Sequence, residues 1–151
     1  MYKKGLIIFF SSIILFIAIT AGLSYLERTH GIYPREIRFG GTLVHLTLAV
    51  TEGEKEAGLS GFSSLAADQG MLFIFDKSDK WAFWMKDMHF PIDMIWIDRN
   101  GLIVDVKSAI DPSTYPEIFT PRSAASYVLE VQSGFAQKNN LAIGARAQFL
   151  Y

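Results

Sequence analysis

The stretch WAFWMKDMHFPIDMIWID, Trp81–Asp98, predicts the central element of the fold. It contains two apolar runs of strand length, separated by a short turn that ends at Pro91. If Met88–Pro91 form the turn, Lys86 lies directly opposite Asp93 on the neighbouring strand. The sequence therefore predicts a β-hairpin in which these two side chains form an ion pair.

Side chains alternate between the two faces of a strand, and this assigns each residue of the hairpin to one face. Because apolar residues dominate both faces, we expect the hairpin to be covered on both sides. One face carries Ala82, Trp84, Lys86, Asp93, Ile95 and Ile97, and the other carries Phe83, Met85, Ile92, Met94, Trp96 and Asp98.

A second tight turn follows, because the pair Asn100-Gly101 lies between two apolar runs. This turn places Ile95 opposite Val106 and Asp93 opposite Ser108. The alternation predicts that Leu102, Val104 and Val106 face the core and that Ile103, Asp105 and Lys107 face away from it.

The rest of the chain beyond residue 35 also favours strands, with little helix. A capping box at Thr51 and Glu54 predicts a short helix from Glu52 to about Ala57, and Ser133 is placed to cap a second, single-turn helix. The proline-rich residues 109–122 predict a long ordered loop. Together these patterns predict a mainly β fold: a small barrel or closed antiparallel sheet of about seven strands with one or two short helices. Further strands are expected at residues 36–39, 43–50, 70–75, 126–132 and 145–150.

An N-terminal transmembrane helix is predicted to precede this fold, because no charged residue occurs from Leu6 to Leu26. At about 1.5 Å per helical residue, the run spans roughly 30 Å, the thickness of a bilayer's hydrocarbon core. Lys3 and Lys4 precede it, so the positive-inside rule places the N-terminus in the cytoplasm. A cleaved secretory signal is the alternative. Both interpretations place the following residues outside the cytoplasm.

We therefore predict a membrane anchor or signal segment at residues 1–26, a linker at 27–35 and an extracytoplasmic β domain at 36–151. The expected location is the cell membrane, as a single-pass protein, or the periplasm or exterior if the segment is cleaved. The net charge of -1 argues against nucleic-acid binding, which usually needs a basic surface. The absence of cysteine excludes disulfides, thiolate metal sites and a cysteine nucleophile. No cofactor is predicted.

Several spaced motifs resemble the domain of unknown function 192 family. They are Gly58-Leu59, Gly70-Met71-Leu72-Phe73, Trp84-Met85-Lys86, Pro91 with Asp93, and Tyr127-Val128-Leu129-Glu130. The resemblance covers about Thr51 to Phe149. It implies a secretion signal or membrane anchor, which family members often carry, and it implies no biochemical activity. The family often has an arginine where Phe62 stands and a methionine where Ser60 stands.

Lys86 and Asp93 are the candidate catalytic residues, because burial and pairing perturb titration at the end of an apolar face. The alternative is a structural pair that fixes the register of the hairpin. Asp93 and Asp98 are expected on opposite faces, which argues against a joint acid and base role. Glu130 alternates with apolar neighbours and is expected to be exposed.

Aromatic side chains of the hairpin and of the proline-rich loop are the candidate binding residues, since such anchors commonly carry recognition. These are Trp84, Trp96, Phe83, Tyr115 and Phe119, with Trp81 and Phe90 nearby. A soft metal site is an alternative that would use Met85, Met88, His89 and Met94. Ordinary core packing also explains the methionines.

Three functions remain open on the sequence alone. The first is a membrane-anchored, extracytoplasmic binding module for an envelope carbohydrate, peptide or protein partner. The second is an enzyme that acts on an envelope polymer through Lys86 and Asp93. The third is a purely structural partner in a membrane complex.

Overall fold

The computed structural model describes residues 32–151. The predicted span at residues 6–26 and most of the predicted linker lie outside this range. Within it, no helix is both long and apolar enough to cross a membrane. The strands are β1 (Glu36–Phe39), β2 (Thr42–Ala49), β3 (Gln69–Asp79), β4 (Ile92–Ile97), β5 (Ile103–Ile110), β6 (Ala125–Gln132) and β7 (Gln148–Leu150), and the helices are α1 (Glu52–Ala57) and α2 (Phe135–Lys138).

The strands form a seven-stranded sheet in the order β5-β4-β6-β3-β2-β1-β7, curled into a half-barrel. The predicted mainly β class and the two short helices are confirmed. Two parts of the prediction are wrong: the sheet is a half-barrel and not a closed barrel, and β2 and β3 are parallel. A parallel pair needs a crossover connection, and α1 lies in it.

The predicted capping box at the start of α1 is confirmed. The hydroxyl oxygen of Thr51 accepts a hydrogen bond from the Glu54 backbone N–H at 3.3 Å, and the Glu54 carboxylate accepts one from the Thr51 N–H at 3.0 Å. Gly58 ends the helix with a φ of 49°, a value that glycine adopts easily. These local interactions fix the helix, since α1 buries none of its own residues.

β4 is an interior strand between β5 and β6, and all six of its residues are buried. Its side chains enter two clusters, one on each face of the sheet. Trp96 and Met94 pack in the first cluster, and Ile95 and Ile97 pack in the second. The expectation that this stretch is covered on both sides is therefore confirmed for β4.

The predicted hairpin of residues 81–98 is wrong in its first half. β4 pairs with β5 and β6, and the aromatic segment Trp81–Phe90 contributes only an isolated bridge, between Phe83 and Phe119. β6 lies beside β4 instead and pairs with it over six consecutive residues. The aromatic segment instead packs side chains such as Trp81 and Phe83 against the first core cluster.

The second predicted turn is confirmed at its centre, where Ile95 lies opposite Val106. The register shifts toward both ends, so that Ile92 lies opposite Ile110 and Asp93 does not face Ser108. Ile103 and Asp105 were predicted to face away from the core, but both are buried. Both residues are buried because an apolar cluster lies on each face of the curled sheet, so that both faces of β5 are covered.

The half-barrel is held at one end by hydrogen bonds between the start of β5 and the chain that leads into β7. The Ile103 N–H donates to the Ala145 carbonyl at 2.9 Å, and the Ala147 N–H donates to the Gly101 carbonyl at 2.8 Å. The backbones approach so closely at Gly101 that a Cβ there would lie 2.6 Å from the Ala147 carbonyl oxygen. Gly101 also has a φ of +80°, which L side chains rarely adopt.

We therefore expect Gly101→Ala to lower the free energy of unfolding by about 3 kcal/mol, through backbone strain and steric overlap together. Gly144→Ala is the matched control, because Gly144 has a φ of +89° and no atom within 4 Å of its Cβ position. The control should lose only about 1 kcal/mol. Urea unfolding followed by tryptophan fluorescence measures both losses, and equal losses would contradict the close approach.

Candidate functional site

A cleft of about 440 Å³ lies between α1 and the aromatic segment. Its two sides are joined by hydrogen bonds: the Ser60 hydroxyl donates to the Lys86 carbonyl at 3.1 Å, and the Gly61 N–H donates to the Asp87 carbonyl at 3.2 Å. The volume falls in the usual range of small-molecule sites, about 300 to 1,000 Å³. We call it the Glu130 cleft, after the buried acidic residue that lines it.

Aromatic rings form the apolar wall of the Glu130 cleft. Phe75 and Trp81 stack with their ring centroids 4.0 Å apart and an interplanar angle of 10°. Phe73 and Phe83 meet edge to face at 4.8 Å. Met88 and Leu59 also line the cleft. Because the rings support one another, the wall is held in place without a ligand.

Glu130 lies on β6 between Met71 of β3 and Met94 of β4. Strand alternation puts its side chain on the same face as Val128, in the first core cluster, and the residue is only 4% exposed. Burial raises the pKa of Glu130 to about 8, because removal from water disfavours the carboxylate. Within residues 32–151 its carboxyl group forms no hydrogen bond or ion pair.

A buried acid without a partner is unfavourable for stability, and such groups are concentrated at functional sites. At neutral pH the Glu130 carboxyl is mostly protonated and can donate one hydrogen bond into the cleft. A second unsatisfied group lies nearby: the indole N–H of Trp81 is the buried side-chain donor that lacks a partner in the described part of the chain. Both groups belong to residues that line the same cleft.

The charged residues around the Glu130 cleft are balanced in number. Glu52, Lys55 and Glu56 lie on α1, and Lys86 lies on the aromatic segment. The Lys55 ammonium lies 3.0 Å from the Glu52 carboxylate and 4.8 Å from the centroid of the Phe75 ring. The side chain of Lys55 is 13% exposed, so this ammonium is largely held against the aromatic wall.

The predicted ion pair between Lys86 and Asp93 is wrong. Lys86 is exposed, with its ammonium 6.0 Å from the centroid of the Trp84 ring, and among the described residues no ion pair joins it to Asp93. The separation follows from the fold, because Lys86 lies in the aromatic segment and not on a strand opposite β4.

Asp93 has a structural position. It is fully buried and accepts backbone hydrogen bonds from Ala109 at 2.8 Å, Gly134 at 3.2 Å and Ala136 at 2.8 Å. Two of these donors lie at the start of α2, whose N-cap residue Gly134 provides no side-chain cap. Asp93 therefore caps α2 from the neighbouring strand, a role the sequence had given to Ser133.

The five predicted binding aromatics lie close together but in different environments. Phe83 and the half-exposed Trp84 line the cleft. Trp96 is fully buried behind Phe83 and donates its indole N–H to the Trp81 carbonyl at 3.0 Å. Tyr115, 46% exposed, meets Trp84 with 5.9 Å between ring centroids. Phe119 pairs its backbone with Phe83.

The residues of the alternative metal site are distributed between core and surface. Met85 and Met94 are buried in the first core cluster, Met88 lines the cleft and His89 is exposed. Over residues 32–151, no group of three or more histidine, cysteine, aspartate or glutamate side chains is placed to hold a metal ion.

Glu130 is the functional candidate that sequence reasoning missed. Its polar side chain within a strand was interpreted as an exposed position, but both neighbouring strands are buried and the residue is buried with them. A carboxylate inside an otherwise apolar run, YVLEV, was the available signal. Such a residue, in a strand covered on both sides, is either buried or at the mouth of a pocket.

The sequence model of DUF192, described as an uncharacterized ACR, matches residues 35–149. No curated protein matches the chain. A crystal structure from Sinorhizobium meliloti 1021, described as a candidate transcription regulator, is similar with a TM-score of 0.70 and 25% identity over 79% of this chain and 97% of that chain. A protein of unknown function from Novosphingobium aromaticivorans DSM 12444 is similar in fold, with a TM-score of 0.70 and 23% identity over 76% of this chain and 84% of that chain.

Proposed function

Since the chain belongs to the DUF192 family of uncharacterized proteins, we propose a function from its own site: it is a binding module that takes a small ligand into the Glu130 cleft. The ligand has an apolar body, which packs on the aromatic wall, and a polar group, which reaches Glu130. The observation that carries this proposal is the buried, unpartnered carboxyl of Glu130 among the lining residues of the cleft.

The energetic cost of burying Glu130 favours a ligand-binding role for this residue over a purely structural role. A buried acid lowers the stability of the folded protein unless something satisfies it. Aromatic rings arranged around it supply apolar contact area for a ligand, and a few convergent polar groups then give orientation. The unsatisfied indole N–H of Trp81 offers a second such group.

We place this module outside the cytoplasm and anchor it in the membrane through residues 6–26. The uncharged run and the two preceding lysines support this placement. The ligand is then a component of the cell envelope: a carbohydrate, a peptide or an exposed segment of a protein. We propose no nucleic-acid partner, because the net charge is -1.

An enzyme built on Lys86 and Asp93 is the less favoured alternative. The two groups are not paired, and both oxygens of Asp93 already accept backbone hydrogen bonds. Three of the roughly four acceptor positions of the Asp93 carboxylate are thus already used, and the residue is fully buried, which favours a structural role over contact with a substrate.

The chain has three tryptophans, so 5-fluorotryptophan labelling and ¹⁹F NMR test the proposal directly. Trp81 and Trp84 line the cleft. We expect fragments that combine an aromatic or aliphatic body with a hydrogen-bonding group to shift these two resonances in the full-length protein. Because only the protein carries fluorine, lipid nanodiscs do not interfere with the measurement.

Two variants make the test specific to the cleft. Ala82→Trp fills it from an exposed position on its lining, whereas Ala142→Trp adds the same side chain at an exposed position away from it. We expect the fragment-induced shifts to persist in Ala142→Trp and to disappear in Ala82→Trp. Shifts that persist in both variants, or that are absent from the wild type, would reject the proposed function.

A further inference from the structure

We propose that the ligand of the Glu130 cleft carries an organic ammonium group, which binds between the Glu130 carboxylate and the surrounding aromatic rings. This inference rests on the proposed function and specifies the chemistry of its ligand. The three observations that carry it are the lone buried carboxyl of Glu130, the aromatic rings that line the same cleft, and the contacts that two of these rings already make with the protein's own ammonium groups.

The first observation concerns charge. Glu130 is buried and has no cationic partner in the part of the chain described. The residues opposite it on the adjacent strands, Met71 and Met94, are uncharged. A carboxylate in such a place attracts a cation strongly, because water and protein dipoles screen the interaction little. A ligand cation would therefore complete the pair that the fold leaves open.

The second observation concerns the walls. Aromatic faces carry partial negative charge and attract ammonium ions, most strongly where water is excluded. Phe73, Phe75, Trp81 and Phe83 all line the cleft. A carboxylate combined with several rings matches the requirements of an ammonium group with apolar substituents, which needs both a counter-ion and apolar contacts.

The third observation is internal to the protein. The ammonium of Lys55 lies 4.8 Å from the centroid of Phe75, and that of Lys77 lies 5.9 Å from the centroid of Trp81. The two stacked rings of the wall thus already accept ammonium groups on the protein's own side chains. Because these two rings stack on each other and their outer faces contact Lys55 and Lys77, a ligand ammonium would contact other rings of the lining, such as Phe83, through the same kind of interaction.

The charges at the mouth do not favour one sign. Glu52 and Glu56 offset Lys55 and Lys86 in number, so the buried end of the cleft decides the preferred ligand. An anionic ligand would have to approach Glu130 without a cation to neutralise it. A neutral ligand would bind to Glu130 through a hydrogen bond with the protonated acid. The experiment must therefore distinguish a neutral ligand from an ammonium ion.

Choline and 3,3-dimethyl-1-butanol are a matched pair of probes, because they have the same shape and differ in a permanent positive charge. Both are titrated into the full-length, 5-fluorotryptophan-labelled protein in phosphatidylglycerol nanodiscs, whose head groups contain no ammonium ion. The Trp81 resonance gives the affinity at pH 7 and at pH 9. Glu130→Gln removes the charge with little change of shape, and Glu117→Gln makes the same change at an exposed position outside the cleft.

We expect choline to bind more tightly than the alcohol at pH 9. Because burial raises the pKa of Glu130 to about 8, the carboxylate fraction grows about tenfold between pH 7 and pH 9, and the choline affinity should rise by the same factor. The alcohol should show no such rise. The pH step should vanish in Glu130→Gln and persist in Glu117→Gln.

Equal affinities for the two probes, tighter binding of the alcohol, or a pH step that survives in Glu130→Gln would overturn the ammonium inference. Failure of both probes to bind would overturn it as well. In each of these cases the proposed function is judged separately, by whether fragments of any charge bind the wild type and not Ala82→Trp.

Discussion

Asp93→Ala is expected to lower the free energy of unfolding by about 3 to 5 kcal/mol, because it removes a fully buried acceptor and leaves three backbone N–H groups without a partner. These donors belong to Ala109, Gly134 and Ala136, so one side chain connects β4 to the end of β5 and to the start of α2. Urea unfolding of the full-length protein, followed by tryptophan fluorescence, measures the loss.

Asp93→Asn separates the contributions of the two oxygens. Oδ1 accepts from Ala109 and Gly134, and Oδ2 accepts from Ala136. An asparagine that keeps its oxygen at the Oδ1 position retains two of the three bonds, so the expected loss is about 2 kcal/mol. Asp111→Asn is the control, because its carboxyl caps an exposed turn at Ser113 and should matter much less. A loss for Asp93→Ala no greater than that for Asp111→Asn would refute the structural role of Asp93.

Glu130 should make the protein less stable as the pH rises. Its pKa is 4.5 when the chain is unfolded and about 8 in the fold, where burial favours the protonated acid. The folded state therefore holds the proton more tightly, and the associated stability is fully present below about pH 4.5 and is lost as the pH rises toward 8. Between pH 5 and pH 8 we expect this single group to lower the free energy of unfolding by about 3 to 4 kcal/mol.

Glu130→Gln should remove this pH dependence, because glutamine has no proton to lose in this range. At pH 5 the variant and the wild type should be similar in stability, and at pH 8 the variant should be the more stable protein. Glu117→Gln, at an exposed position, should keep the wild-type slope. Parallel stability curves for the wild type and Glu130→Gln over pH 5 to 8 would show that the carboxyl is better solvated than its burial implies.

A Glu130→Gln protein that is more stable but no longer binds its ligand would indicate that Glu130 is retained for binding and not for stability. Functional sites commonly retain groups that destabilise the fold, because the ligand satisfies them. The pH measurement needs no ligand, so it reports on the environment of Glu130 independently of any proposal about what binds there.

The local elements were predictable because each depends on nearby residues. The Thr51 and Glu54 capping box, the turn at Asn100-Gly101 and the strands near residues 36–39, 43–50 and 126–132 were all recognised from the sequence. The interactions that stabilise the capping box and the turn join residues close together in the chain, and a strand's own side-chain pattern can be recognised without knowing its partner. The family was recognised as well, from motifs that the match over residues 35–149 now supports.

The long-range pairings were harder, because the sequence does not say which strand lies beside which. The aromatic segment and β4 are both apolar, so pairing them into a hairpin was reasonable, but β6 is the partner that β4 takes. That exchange moved Lys86 away from Asp93 and made Glu130 a residue of a central strand. Glu130 was therefore expected on the surface because its neighbouring strands were not known, although its segment was correctly expected to form a strand.

The binding aromatics were predictable in kind and only partly in place. Phe83 and Trp84 do line the cleft, whereas Trp96 supports it from behind. α1 was expected as a helix, but nothing in its sequence indicated that it would form one side of a cleft. That placement follows from the parallel pairing of β2 and β3, which carries α1 across the sheet.

The hydrogen bonds between Gly101, Ile103 and the chain before β7 also affect the tendency of the protein to self-associate at high concentration. The outer strands of an open sheet expose backbone donors and acceptors to which a second polypeptide can add, and this is a common start of aggregation. Here residues 101–103 and 144–147 use these groups on each other. The curl of the sheet thus gives the protein protection against self-association at this end, without the charged or proline-rich edge that flat sheets require.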